Sequence, residues 1–337
     1  MRNNFYKLLY FLSGLLMGIM SFWMLHASYP SILHSEAAGE IPWKLKSIEG
    51  DLPAGEEGAK IKYGYILITE TSEKIGPLAK DEKMRFAGNN LSCNNCHLAG
   101  GRKIGAGSFV GVYNRFPQFR GRENKIGSLE ERINGCMERS MNGRMMDEKS
   151  PEMQAMIAYM KWLSEEVPEV EEQKYKGYVS VEIPDFKADT SIGKQVYQRH
   201  CIVCHQSDGK GIPIPGAEFS GYLYPPIGGP DSYNNGAGMN RVLTSAQFIK
   251  ANMPFGATYD NPILTDEEAY HVAAYINTFE RPNKKNLEVD FPDKTLKPVS
   301  TPYGPWTDNF SPEQHKFGPF PPIIEYYKEK YSLVKSK

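Results

Sequence analysis

The hydropathy pattern opens with an uncharged apolar run from Leu8 to Leu25, preceded by the cations Arg2 and Lys7. Cation, apolar stretch and then polar chain form an export pattern whose charged end stays in the cytoplasm. The run is longer than the roughly 7–15 residues of a cleaved signal core. At about 1.5 Å per residue it covers about 27 Å, close to the thickness of a bilayer core. Residues 1–37 therefore read as a single-span anchor or as a signal peptide, with Ser35-Glu36-Ala37 as a small-x-small cleavage site. Either way the remainder of the chain is delivered outside the cytoplasm, to the periplasm.

Further along, the pattern is helical. Ser150-Pro151 reads as an N-cap followed by proline at the first helical position, and Met153, Met156, Met160 and Leu163 mark one buried face. Thr265 and Glu268 form a capping box ahead of Val272, Ala273, Ile276 and Phe279, which recur at three- and four-residue intervals. Gly193 to His200 reads as a short helix running into Cys201. The pattern thus divides the chain into a unit over residues 43–163, an acidic linker over 164–189 and a second unit over 190–281. A tail over 282–337 follows. That tail holds nine prolines between Pro282 and Pro322, which predicts an extended segment without regular helix. Its aromatic residues, among them Phe291, Tyr303, Trp306 and Phe320, predict that it packs over the domains.

Composition changes this picture little. With 337 residues, two domains plus extensions are expected at about 150 residues each. Apolar residues at 40% and charged residues at 23% exclude a disordered chain or a polytopic membrane protein. A net charge of −1 gives no global pull toward nucleic acid.

The cysteines change it a great deal. Four of the five stand in two C-x-x-C-H strings, Cys93–His97 and Cys201–His205, 108 residues apart. This is the attachment signature of heme c, in which two thioethers hold the porphyrin and the histidine binds iron. Structural zinc would need further N/S ligands at each site, and one spare cysteine cannot supply two sets. Two covalent hemes are expected, held by Cys93 and Cys96 with His97, and by Cys201 and Cys204 with His205. The order of helix, attachment string, long loop and helix occurs twice and resembles the class I cytochrome c fold, duplicated in a mostly α chain.

Each iron has a sixth position to fill. In the second unit Met253, in Asn252-Met253-Pro254, lies 48 residues beyond His205, where class I cytochromes place an axial thioether; Met239 is the competitor. In the first unit Met137, Met141, Met145 and Met146 compete with Cys136. A thiolate there lowers the iron's potential. Residues 101–125 hold Arg102, Lys103, Arg115, Arg120, Arg122 and Lys125 against the single acid Glu123, and Arg132 and Arg139 flank Cys136. Such a run reads as a clamp on heme propionates or as a pocket for a small dianion.

At Cys136-Met137-Glu138-Arg139-Ser140-Met141-Asn142-Gly143 the string C-x-E-R-S-M-N-G is similar to that of the diheme thiosulfate dehydrogenases, also called tetrathionate reductases. The resemblance covers roughly residues 60 to 280. It implies that Cys136 is the distal ligand of the first heme, opposite His97, and that this heme is the active site. It also implies that Arg122, Arg132 and Ser140 line the substrate pocket and that Met253 binds the second iron. Some relatives carry lysine just before that methionine and exchange ligands on reduction; Asn252 stands here instead. The implied reaction is the interconversion of two thiosulfates with tetrathionate and two electrons; Asn252 points to a reversible enzyme, and the exported compartment to a small c-type cytochrome as electron partner. Two alternatives belong to other classes: a diheme electron carrier with His/Met ligation at both irons, and a Cys-ligated diheme subunit of a sulfur-oxidising (Sox) multienzyme system.

Overall fold

In a computed structural model, residues 2–28 and 43–335 are described. The cleavage site at Ser35-Glu36-Ala37 lies outside them. The chain forms two compact units, Met1–Lys44 and Leu45–Lys337. The first holds helix α1 (Arg2–Ser28). No helix among the described residues is long and apolar enough to cross a membrane.

The second unit holds two hydrophobic cores. The first gathers α2 (Gly55–Thr69), α3 (Leu129–Arg139) and α4 (Pro151–Trp162) through Ile61, Leu67 and Ile68, then Ile133 and Met137, then Met153, Met156, Tyr159 and Met160. The second gathers α5 (Thr190–His200), α6 (Val242–Asn252) and α7 (Asp266–Ile276) through Val196 and Tyr197, Val242, Leu243 and Ile249, and Tyr270, Val272 and Ala273. Local signals explain where these helices start. Ser128 with Glu131 and Thr265 with Glu268 form complete capping boxes, and the Ser150 side chain accepts from the Met153 amide.

The same device brings the first and last helix of each core together. A Cβ on Gly64 of α2 would lie 2.0 Å from the Ala155 carbonyl oxygen of α4. A Cβ on Gly193 of α5 would lie 2.0 Å from the His271 carbonyl oxygen of α7. Only glycine permits backbones to cross that closely, so the duplication is visible in packing as well as in sequence.

The proline-rich tail departs from the extended reading. It contains α8 (Pro312–Phe317) and α9 (Pro321–Tyr331), each with proline in its first turn. There the missing N–H is not needed and φ is already helical. Val299, Phe320, Ile323 and Tyr327 complete the second core, so the tail packs, as its aromatic content predicts. The linker also contains a short helix, Glu169–Tyr175.

Candidate active site

Helix α3 delivers the central sulfur. Its capping box fixes the start at Leu129, which sets Arg132 and Cys136 one turn apart on the same face. Arg132 Nη1 lies 2.7 Å from Cys136 Sγ. The Cys136 sulfur is the chief cause holding the Arg132 proton more tightly than usual. Cys96, His97, Arg122, Arg132, Cys136, and Ser140 line one cavity of about 420 Å³. Thus most of the first-unit residues singled out in the sequence converge. Cys93 instead packs against the first core.

The competing sulfurs do not converge there. Met137, Met141 and Met146 are buried in the first core, and Met145 is exposed. Met239 lines this cavity. Met253 packs against the second core, as does Cys201.

Both attachment strings offer a donor set that fits heme c. His97 Nδ1 lies 2.6 Å from the Gly107 carbonyl and His205 Nδ1 lies 2.9 Å from the Pro225 carbonyl. In each ring the proton sits on Nδ1 and Nε2 is left for a metal. Burial pushes the His97 pKa down to about 4, against the pull of its hydrogen bond to Gly107, and lowers that of His205. Burial pushes the thiols up to about 11 at Cys93 and about 12 at Cys96 and Cys201. Gly107 is at φ +61°, and a Cβ there would meet His97 Nδ1 at 3.3 Å and the Tyr178 hydroxyl at 3.2 Å.

The arginines do not all carry unbalanced charge. Two short strands, β1 (Gln118–Arg120) and β2 (Lys125–Gly127), pair antiparallel and fold the basic loop into a hairpin. Within it Glu123 chelates Arg120 through Nε (2.8 Å) and Nη2 (3.1 Å). Asp290, from the tail and only 2% exposed, takes Arg122 Nη1 at 2.7 Å and Arg139 Nη2 at 2.5 Å. Burial alone would raise the Asp290 carboxyl, but its hydrogen bond to Arg139 and the charges of Arg122 and Arg139 hold it below the usual range. Arg122 is thus oriented by a carboxylate as well as facing the cavity.

Sequence reasoning did not place several residues of this wall in it. Arg241 and Met239 come from the second cytochrome segment, Tyr178 from the linker and Phe291 from the tail. The backbone of Phe291 donates to the Arg122 carbonyl at 2.8 Å and its ring lies 4.9 Å from the Arg122 guanidinium. No local signal marks these positions, because each is brought in by a contact more than 50 residues away in sequence.

Comparison with known proteins follows the same outline. The family model for the SoxA/TsdA cytochrome c domain matches residues 83–168, and the cytochrome c model matches residues 191–280. The chain is 38% identical over 247 residues to a thiosulfate dehydrogenase of Stutzerimonas stutzeri (strain A1501), covering 73% of this chain and 76% of that one. It is 38% identical over 235 residues to a thiosulfate dehydrogenase of Allochromatium vinosum, covering 68% and 82%. Its fold is similar to that of the thiosulfate dehydrogenase TsdBA from Marichromatium purpuratum in its "as isolated" form. The TM-score is 0.64 at 32% identity, over 72% of this chain and 50% of that one. The chain therefore spans half the length of that solved chain.

Proposed function

This chain belongs to the thiosulfate dehydrogenase family of diheme c-type cytochromes, and on that premise we propose that it interconverts thiosulfate and tetrathionate in the cavity around Cys136. The observation that carries the reading is the convergence of Cys136, Arg132, Arg122 and His97 on one cavity, while the methionines of the same stretch lie in the core or at the surface. A purely electron-carrying cytochrome would bind the first iron through a methionine in place of Cys136.

Heme c, held by Cys93, Cys96 and His97 in residues 43–163 and by Cys204, Cys201 and His205 in residues 190–281, supplies acceptors for two electrons taken one at a time. The chain's own residues do the rest. Arg122 and Arg132 offset the negative charge of the entering dianion, and Ser140, at the end of α3, lines its seat. The Cys136 thiolate and the outer sulfur of one thiosulfate form an S–S bond as two electrons leave, giving a cysteine-bound group with one negative charge. The second thiosulfate attacks that outer sulfur, expels the Cys136 thiolate and departs as tetrathionate. Run backward, the same steps reduce tetrathionate.

His97 and Cys136 would hold the first heme iron, and His205 and Met253 the second. Asn252 supports fixed ligation there. It is buried, with Nδ2 donating to the carbonyls of Gly105 and Phe248, both at 2.9 Å. Arg2, Lys7 and the apolar run after them support delivery to the periplasm, where a small c-type cytochrome exchanges the electrons.

Cys136→Met and Cys136→Gly test the assignment. Both should retain two hemes, lose the low-spin thiolate signature in the EPR and near-infrared spectra, and lose turnover with either sulfur compound. Normal activity in either variant removes Cys136 from the reaction.

A further inference from the structure

The reaction brings two dianions into one cavity, yet the two arginines carried over from the resemblance, Arg122 and Arg132, already have work to do. Arg122 is shared with Asp290 and Arg132 sits against Cys136 Sγ. A third guanidinium enters from elsewhere in the fold. Residues 231–241 belong in sequence to the second cytochrome, but they dock on the first core. Tyr233 and Ala237 are buried in that core. The Asn234 amide donates to the Arg139 carbonyl at 3.1 Å, and its Nδ2 donates to the Glu138 carbonyl at 2.8 Å. Asn90 holds Asp231 through its backbone amide (2.9 Å) and its Nδ2 (3.0 Å), and Asn89 Nδ2 donates to the Ser232 carbonyl at 3.1 Å. The loop is therefore pinned at its start and middle before it reaches Arg241, the residue that opens α6.

Arg241 lines the same cavity as Cys96, His97, Arg132 and Cys136. Around it, Glu123 offsets Arg120 and Asp290 offsets Arg122 and Arg139. Burial first, and then the repulsion of Arg122, push the Arg241 pKa down to about 10, with Arg132 adding to the repulsion. It remains a cation at neutral pH and faces the same cavity as Arg132. A guanidinium presents a planar fork of donors that matches two oxygens of a sulfonate group.

Resting on the thiosulfate reading, we propose that Arg241 binds the sulfonate of the second thiosulfate, so that the second cytochrome supplies half of the substrate site of the first. The loop thereby couples substrate binding to the contact between the two cytochromes. In the reverse direction Arg241 binds one end of tetrathionate and the Arg122–Arg132 side binds the other.

Steady-state kinetics of the full diheme protein, with ferricyanide as acceptor, tests this using Arg241→Gln and Arg241→Lys. Arg241→Gln should carry two hemes with an unchanged EPR spectrum, and its half-saturating thiosulfate concentration should rise at least tenfold with kcat within threefold. Arg241→Lys should recover to within threefold of wild type. Sulfate, a dianion of similar shape that is not oxidised, should inhibit wild type competitively, with an inhibition constant that rises by a similar factor in Arg241→Gln. Saturation and sulfate inhibition within twofold of wild type in Arg241→Gln would overturn the proposal. So would Arg241→Lys being as impaired as Arg241→Gln. A wild-type protein inactive with both sulfur compounds would instead defeat the underlying reading of the site.

Discussion

Asp290 shows how one side chain can organise a cationic site without touching its central sulfur. Its carboxylate bridges Arg122 and Arg139 and receives the Tyr303 hydroxyl at 3.2 Å. Asp290→Asn keeps the shape but leaves two largely buried guanidiniums without their counter-charge. Breaking such a pair costs about 3–5 kcal/mol, so a thermal or denaturant melt should show a loss of that order. The pH dependence has a definite sign. The folded carboxyl is held below its ordinary 3.8, so its contribution is complete above about pH 4 and is lost as pH falls through the lower folded value. The Asn variant should lack this part of the acid transition; an acid profile identical to wild type would show that Asp290 does not supply it.

At the level of helices, the local rules of capping and periodicity account for the starts of α3, α4 and α7, and those of α4 and α7 were read from the sequence. Proline misled in the tail, because its count was weighed and its position was not. Pro312 and Pro321 each open a helix, where proline is favourable. The helix crossings give a sharper test. Replacing Gly64 by alanine gains about 1 kcal/mol of helix propensity. It also forces a methyl to 2.0 Å from the Ala155 carbonyl oxygen. Overpacking of this kind costs about 1–3 kcal/mol and should win, because the obstacle is backbone and cannot rotate away. Gly64→Ala should therefore melt below wild type, and a higher melting temperature would show that the crossing opens freely.

For the molecule as a whole, the tail is structural and also borders the cavity proposed as the active site. Phe291, Leu296 and Pro298 line the cavity, while Val299, Phe320, Ile323 and Tyr327 fill the second core. Ending the chain after Arg281 should leave both attachment strings in place, yet cost the second core its cover and the cavity one wall. Hydrogen exchange should then show faster exchange across α5–α7, together with loss of turnover. Retention of both properties would mean that the tail is dispensable.

Heme attachment was readable from the chain alone because C-x-x-C-H places its three groups within five consecutive residues, where covalent connectivity sets the geometry. That Cys136 sits among cations was legible for a similar reason, because Arg132 and Arg139 stand within four residues of it; its proposed role came from the resemblance. Which charges survive in the cavity was decided only on folding. Arg122 finds its carboxylate 168 residues away and a capping carbonyl 114 residues away. Arg241 reaches the first heme site through a loop from the second cytochrome. Hydropathy and spacing report neighbours along the chain; the balance of charge in a cavity depends on which distant segments close over it, and that follows from packing.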